Sequence, residues 1–391
     1  MDEKLKTTFP QISNWALTHP QFLDVRAPVE FAQGHLPGAI NVPLLNDEER
    51  ALVGTCYKEK GQTAAIELGH QLVAGMTKQK RLEEWQNLIQ KNPHMILYCF
   101  RGGLRSQTVQ RWLKELGLDV IRLKGGYKEA RSQILTHLSE LVSKQKIILI
   151  SGPTGSGKTH FLKSLDRFWP QVDLEELAKH KGSAFGKRKE AQPSQATFEN
   201  LLVLNWLEQF QNFESSALPL ALEDESRLIG RMALPDLLFT EMRKSSIVWL
   251  DVDLEDRVSQ IFSDYIEQTE IVLSEDISAG LQVYQSYKKA LLDIQKRLGG
   301  ARTSEVMSDL EKSEKLWLES KEKQIKLELL SNREWIKKLL IYYYDPMYLG
   351  SLEKRNPKVY FRGSPDAARA FLLEEKNKIK ATPVSKKAPT D

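Results

Sequence analysis

Cys99 lies in the run Tyr98-Cys99-Phe100-Arg101-Gly102-Gly103-Leu104-Arg105-Ser106. An apolar stretch, 94–98, reads as a buried strand that delivers the thiol, and 106–116 reads as an amphipathic helix closed by Gly117. Gly102 and Gly103 allow the chain to fold tightly around one point. Successive backbone N–H groups then aim inward, and the start of the helix adds its partial positive charge. Arg101 and Arg105 supply more, and Ser106 follows directly. Such a cradle suits a nucleophilic cysteine, and it equally suits a tetrahedral oxyanion. A purely structural cysteine would need neither the glycine pair nor the two arginines. Cys56, the only other cysteine, has no such surroundings and reads as structural.

A second loop, Gly152-Pro153-Thr154-Gly155-Ser156-Gly157-Lys158-Thr159, fits G-x-x-x-x-G-K-[ST] between a strand (146–150) and a helix beginning at His160. In that context Gly152, Gly155, Ser156 and Gly157 would cradle phosphates through backbone N–H groups. Lys158 would reach terminal phosphate oxygens and Thr159 could meet Mg²⁺. The motif leaves the ligand open, since ATP or any pyrophosphate could sit there. Asp224, just past the apolar run 218–222, is the first candidate for a metal-side carboxylate, with Glu223 and Glu225 as alternatives. A helix cap or an ion pair with Arg227 would explain it equally well. Arg257, in Trp249–Val258, resembles a phosphate-contacting arginine of small-molecule and nucleotide kinases. The competing reading is an ordinary solvated arginine.

The elements that must position these loops alternate. Strand-like runs at 21–25, 39–43, 94–98 and 120–123, with helical stretches between, predict an α/β domain with a largely parallel sheet over 1–135. A second α/β unit, built on the phosphate loop, is expected over 136–260. A helical, charge-rich part follows over 261–373, and 374–391, poor in apolar residues, reads as a disordered tail. The chain has 391 residues, is 41% hydrophobic and 28% charged, and carries a net charge of +4, which permits nucleic-acid binding without arguing for it. Basic residues cluster at Lys179, Lys181, Lys187, Arg188 and Lys189, and again at Lys296, Arg297 and Arg302, with Lys337 and Lys338 beyond. These could track a nucleic-acid backbone or merely face water. Tyr342, Tyr343 and Tyr344 read as core rather than as stacking platforms for bases. Two cysteines outside any Cys-x-x-Cys pair argue against a disulfide scaffold or a zinc site. The N-terminus lacks a secretory pattern, and no apolar run reaches the ~18 residues of a membrane span. The expected location is the cytoplasm.

Asp24-Val25-Arg26, Glu30-Phe31, Gly34–Pro43 and Cys99, in that order, resemble a rhodanese domain, with Asp24 and Arg26 as the structural pair. Five residues separate Cys99 from Arg105, one more than in the common sulfurtransferase loop. That spacing is similar to the phosphate loop of cysteine-dependent phosphatases and points to a phosphate-bearing donor. Fusion to a P-loop, together with 53–58, 123–128, 180–186, 223–227, 295–302 and 344–348, resembles the bacterial tRNA 2-selenouridine synthases over nearly the whole chain. The resemblance implies an enzyme that replaces sulfur by selenium in wobble-position 2-thiouridine of tRNA. The selenium donor would be selenophosphate, and the route an S-geranyl intermediate made from geranyl diphosphate. The phosphate loop would then serve the diphosphate, with Mg²⁺ and ATP as open requirements. Cys99 would accept or relay selenium, the basic clusters would hold tRNA, and selenophosphate synthetase would be a natural partner. The alternatives are an ATP-dependent small-molecule kinase with an accessory phosphatase or sulfurtransferase domain, and a nucleotide-switched RNA-binding regulator.

Overall fold

Five short runs of β-forming residues make the first sheet: β1 (Thr7–Thr8), β2 (Phe22–Asp24), β3 (Ala39–Asn41), β4 (Ile96–Tyr98) and β5 (Ile121–Leu123). A computed structural model of the chain describes residues 5–183, 185–186, 190–213, 217–323 and 331–381. The described residues divide into two compact units. In the first, the strands are all parallel in the order β1-β5-β4-β2-β3. Parallel strands need crossovers, here supplied by helices at Pro28–Gln33, Asp47–Leu72, Gly75–Lys91 and Leu104–Glu115. The core sets Leu23, Val25 and Leu97 of the sheet region against Trp85, Val109 and Leu113 of the helices. Asp47–Leu72 starts in a capping box, in which Asn46 and Glu49 exchange hydrogen bonds of 2.8 Å. Its backbone breaks at Gly61, where φ is 82°.

The first unit comprises Met1–Lys144 and also Gln192–Asn212. The helix Gln195–Asn212, which the sequence placed with the phosphate-loop domain, packs on helices Ile12–Thr18 and Gly126–Lys144. It buries Phe198, Leu202 and Trp206. Arg131 fixes it further, donating to Asn200 Oδ1 at 2.8 Å and pairing with Glu199.

The second unit, Gln145–Ala191 and Phe213–Asp391, holds β6 (Ile147–Ser151), β7 (Gln171–Val172), β8 (Leu220–Glu223), β11 (Ser246–Leu250) and β12 (Val359–Gly363). They are parallel in the order β12-β11-β6-β8-β7. A small antiparallel pair, β9 (Leu228–Ile229) and β10 (Met232–Ala233), stands apart. Helices Leu254–Phe262, Ile277–Asp293, Gly300–Lys323 and Asn332–Leu339 enclose a core that includes Tyr284, Trp317, Trp335, Tyr343 and Tyr344. Tyr343 and Tyr344 are thus packing residues. The helical part is no separate terminal segment, because β12 returns to the edge of the sheet beside β11. Helix Pro365–Ala381 follows it, with Leu372 buried and Ile379 packed against the sheet core. Residues 374–381, expected as part of a tail, are therefore helical. Residues 382–391 lie outside the described residues.

Candidate active sites

β4 ends at Tyr98, and Cys99 emerges at the carboxyl edge of the first sheet, where open parallel sheets hold ligands. Cys99 is 3% exposed. Its Sγ lies 3.1 Å from the Ser106 hydroxyl, which can in turn donate to the Gly103 carbonyl at 3.1 Å. Tyr127 N–H and Lys128 N–H donate to the carbonyls of Cys99 and Phe100 at 3.0 and 2.9 Å. This closes the turn at Gly125-Gly126 onto the loop. Gly126 has φ 60°, and a Cβ there would overlap the Cys99 carbonyl oxygen and the Gly102 nitrogen. Among the described residues the backbone N–H groups of 101–106 have no protein acceptor, so they are available to an anion.

The cations around this loop differ from those expected. Arg101 is exposed, with its guanidinium 6.0 Å from the Phe100 ring. Arg122, on β5, instead donates to the Gly102 carbonyl and, through Nε, to Gln110 Oε1 at 3.0 Å. Burial lowers its pKa, against the influence of Cys99. Arg105 grips Glu30 with two hydrogen bonds, 2.5 and 3.1 Å. Burial alone would weaken its charge, but the bond to Glu30 raises its pKa. Asp24 and Arg26 form a buried pair at 2.5 Å, and Arg26 also donates to the Gly34 carbonyl, which fits a scaffolding role.

In the second unit, β6 runs into the phosphate loop and helix Lys158–Ser164. Gly155 and Gly157 take φ 83° and 73°. A Cβ on Gly155 would collide with the Arg257 carbonyl and with Ile261. Lys158 Nζ lies over the loop, donating to the Gly152 carbonyl at 3.0 Å. Thr159 donates at 3.3 Å to both Glu175 and Glu223. Glu175, Glu223 and Glu225 each bring a carboxylate oxygen within 4.8 Å of the others. Glu223 is 1% exposed and its Oε1 has no hydrogen-bond partner. Burial, and then the charge of Glu175, raises the pKa of Glu223 well above the usual carboxylate range and pushes Glu225 up to about 8. Three clustered carboxyls beside a hydroxyl, two of them buried and one with an orphaned oxygen, form an oxygen donor set that fits a hard divalent cation such as Mg²⁺.

Asp224 does not belong to this cluster. It accepts two hydrogen bonds from Arg355, at 2.5 and 2.7 Å, and others from Ser151 and Tyr348. The carboxylate beside Thr159 is Glu223, with Glu175, from the separate helix Leu174–Ala178, as an unforeseen neighbour. Arg257 is likewise engaged. It is buried, bonds Asp345 at 2.7 and 2.8 Å, and braces the loop through the Thr154 carbonyl at 3.2 Å. Lys181 lines the phosphate-loop cleft and pairs with Asp264, whereas Lys179 pairs with Glu176 and Glu190. Lys187, Arg188 and Lys189 lie outside the described residues. Lys296, Arg297 and Arg302 are exposed, while Lys337 and Lys338 are tied to carboxylates.

The cleft at the phosphate loop holds about 320 Å³. Thr154, Ser183, Ile261, Tyr265 and Tyr344 are shared with an apolar slot that continues to Phe185, Trp335, Ile336 and Leu340. The slot is narrow, about 30 Å³, with Phe185 and Trp335 ring centroids 6.0 Å apart.

A cysteine loop on a rhodanese-like sheet and a phosphate loop on a second parallel sheet, in one chain, define a fused rhodanese and P-loop protein. The Rhodanese-like domain family matches residues 11–133, and the tRNA 2-selenouridine synthase AAA domain family matches 145–379. The chain is 46% identical over 374 residues to the tRNA 2-selenouridine synthase of Bdellovibrio bacteriovorus, covering 93% of this chain and 97% of that one. It is 45% identical to the enzyme of the same name from Nitrosomonas europaea, covering 90% and 94%. The chain belongs to the tRNA 2-selenouridine synthase family.

Proposed function

We propose that the protein is a cytoplasmic transferase that replaces sulfur by selenium in wobble-position 2-thiouridine of tRNA, in two steps carried by its two loops. The observation that carries this reading is the continuity of the phosphate cradle with an apolar slot. A prenyl diphosphate has the same two halves. A nucleotide would ask for hydrogen-bonding groups around its base, and the deep end of the slot, at Phe185, Ile336, Leu339 and Leu340, has none in its side chains. A ten-carbon chain would enter by parting Phe185 from Trp335.

In the first step the thione sulfur attacks C1 of geranyl diphosphate. The C1–O bond breaks with its electron pair going to the diphosphate, and the base loses its N3 proton. Lys158 and the loop N–H groups would stabilise the charge that develops on the leaving group. Glu175, Glu223, Glu225 and Thr159 would hold Mg²⁺, which when bound would supply further positive charge beside the diphosphate. ATP hydrolysis is not needed for this step.

In the second step selenium from selenophosphate replaces the alkylated sulfur at C2. The C2–S bond breaks, geranylthiol departs, and water takes the phosphoryl group from selenium. The unpaired N–H groups of the Cys99 loop, with Arg105 and Arg122 nearby, suit the oxyanion of the donor. Cys99 would assist by holding that phosphoryl group on its way to water, its S–P bond forming as the P–Se bond breaks and then hydrolysing, so that selenium stays at the selenide level throughout. Selenophosphate synthetase is the natural source of the donor. The tRNA backbone would engage the exposed Lys296, Arg297 and Arg302. The kinase alternative is weakened because Arg257 is committed to Asp345.

The test is to incubate the protein with 2-thiouridine tRNA and geranyl diphosphate, add selenophosphate, and read the nucleosides by mass spectrometry at each stage. Lys158→Ala is expected to lose the geranyl adduct. Cys99→Ser is expected to keep the adduct and lose selenouridine. ATP turnover without tRNA, and no adduct, would favour the kinase.

A further inference from the structure

We propose that a second cleft, wholly within the first unit, receives the S-prenylated base for the selenium step. The prenyl chain would lie along its apolar floor, and the neighbouring nucleotide phosphates at its basic rim. This rests on the two-step reading above and adds a binding site to it.

The cleft lies between helices Asp47–Leu72 and Leu104–Glu115 and holds about 1000 Å³. Ten carbons at roughly one water's share of volume each, ~30 Å³, take about 300 Å³, which leaves room for a base and ribose. Leu44, Leu45, Val53, Ile66, Val73 and Trp112 make its apolar surface. The helix that walls it is unusual. Asp47–Leu72 has 26 residues and buries one side chain, Ala65. A helix packed on a protein core normally buries a stripe along its length. Here Val53, half-buried against the core, and Ile66 also line the cleft, and Tyr57 is 58% exposed at its edge.

The rim supplies the second half of the argument. Arg50 and Arg105 lean on Glu30, but Lys58 and Arg111 have no ion-pair partner among the described residues. Two cations without counter-ions beside an apolar surface complement a ligand that is apolar at one end and anionic at the other. Position completes it. Leu104 and Arg105 line the cleft and are the first residues of the helix that follows the Cys99 loop. A chain lying in the cleft therefore ends beside the loop proposed to deliver selenium. An unmodified 2-thiouridine would leave the apolar surface uncovered, so the cleft also selects the alkylated intermediate over its precursor.

The test fills the cleft from Gly54. A Cβ there would meet no heavy atom within 4 Å, so the side chain of Gly54→Phe starts in open space at the cleft wall, and thermal unfolding checks that the core is undisturbed. Parent and variant are compared on tRNAs carrying S-geranyl- or S-methyl-2-thiouridine, with selenophosphate, and geranylation and thermal unfolding are followed in parallel. The expected result is a tenfold or greater rise in KM for the S-geranyl tRNA. The S-methyl tRNA should react as in the parent, with geranylation and melting unchanged. A companion variant, Lys58→Ala with Arg111→Ala, should weaken both tRNAs and flatten the salt dependence of binding. If Gly54→Phe uses S-geranyl tRNA as the parent does, or loses both substrates equally, the cleft is not the prenyl site. If the parent itself makes no selenouridine from S-geranyl tRNA, the two-step reading is what fails.

Discussion

Glu223 and Asp224 are neighbours at the end of β8, yet their side chains serve different partners. Glu223 faces Thr159 and Asp224 faces Arg355. Successive side chains leave a strand on opposite sides, so a one-residue choice separates a ligand position from a structural ion pair. Asp224→Ala should destabilise the second unit by about 3–5 kcal/mol, because it leaves the buried Arg355 without its partner. Glu223→Gln should cost little stability or even add some, since it relieves three crowded carboxyls. It should also lessen the rise in melting temperature that is expected of the parent with Mg²⁺. Thermal unfolding of both variants with and without Mg²⁺ checks this, and equal behaviour would contradict the assignment. The sequence exposed the cysteine loop and the phosphate loop because each is a continuous run with its glycines in place. It did not expose Arg122 or Glu175. Arg122 reaches the Cys99 loop from the adjoining strand, and Glu175 comes from a short helix without a motif.

At the scale of elements, the turn at Gly125-Gly126 holds the Cys99 loop in shape. Gly126 carries a positive φ at a point where no side chain fits. Gly126→Ala should therefore cost more than the usual ~1–3 kcal/mol of backbone strain. Selenium incorporation should be lost while the geranyl adduct still forms, as the two-stage nucleoside assay would reveal. His35 marks another junction. It stacks on Phe31 at 3.9 Å, donates through Nδ1 to the Phe31 carbonyl, and its own carbonyl accepts from Asn200 on helix Gln195–Asn212. Burial lowers its pKa below the ordinary 6.5. The folded protein then takes up this proton less readily than the unfolded chain, so stability is full above pH 6.5 and is lost as pH falls toward the depressed value. Melting temperatures from pH 7.5 to 5.5 should fall more steeply for the parent than for His35→Gln. Most strands were legible as apolar runs. β12 was not, because Val359–Gly363 is mostly exposed and set in a charged, helical stretch.

Over the whole molecule, residues 195–212 were assigned to the phosphate-loop unit only by their place in the chain, and the structure puts them in the first unit. Periodicity reports which face is apolar, not which surface will cover it. The destination has a measurable weight. Residues 1–144 alone should melt below the same segment joined by a Gly/Ser linker to 192–212, since Phe198, Leu202 and Trp206 bury their side chains there. Circular dichroism melts of the two polypeptides decide it, and equal midpoints would mean the helix is dispensable.

The same loan imposes an order on biosynthesis. Domains usually fold as they leave the ribosome, the N-terminal one first. Here the nascent first unit must wait for residue 212, on the order of seconds after residue 144 at roughly 5–20 residues per second. By then β6, the phosphate loop and β7 have already been made. The cysteine-bearing unit is thus completed only after the phosphate-binding unit has begun, and a chain arrested between the two carries a first unit of lowered stability.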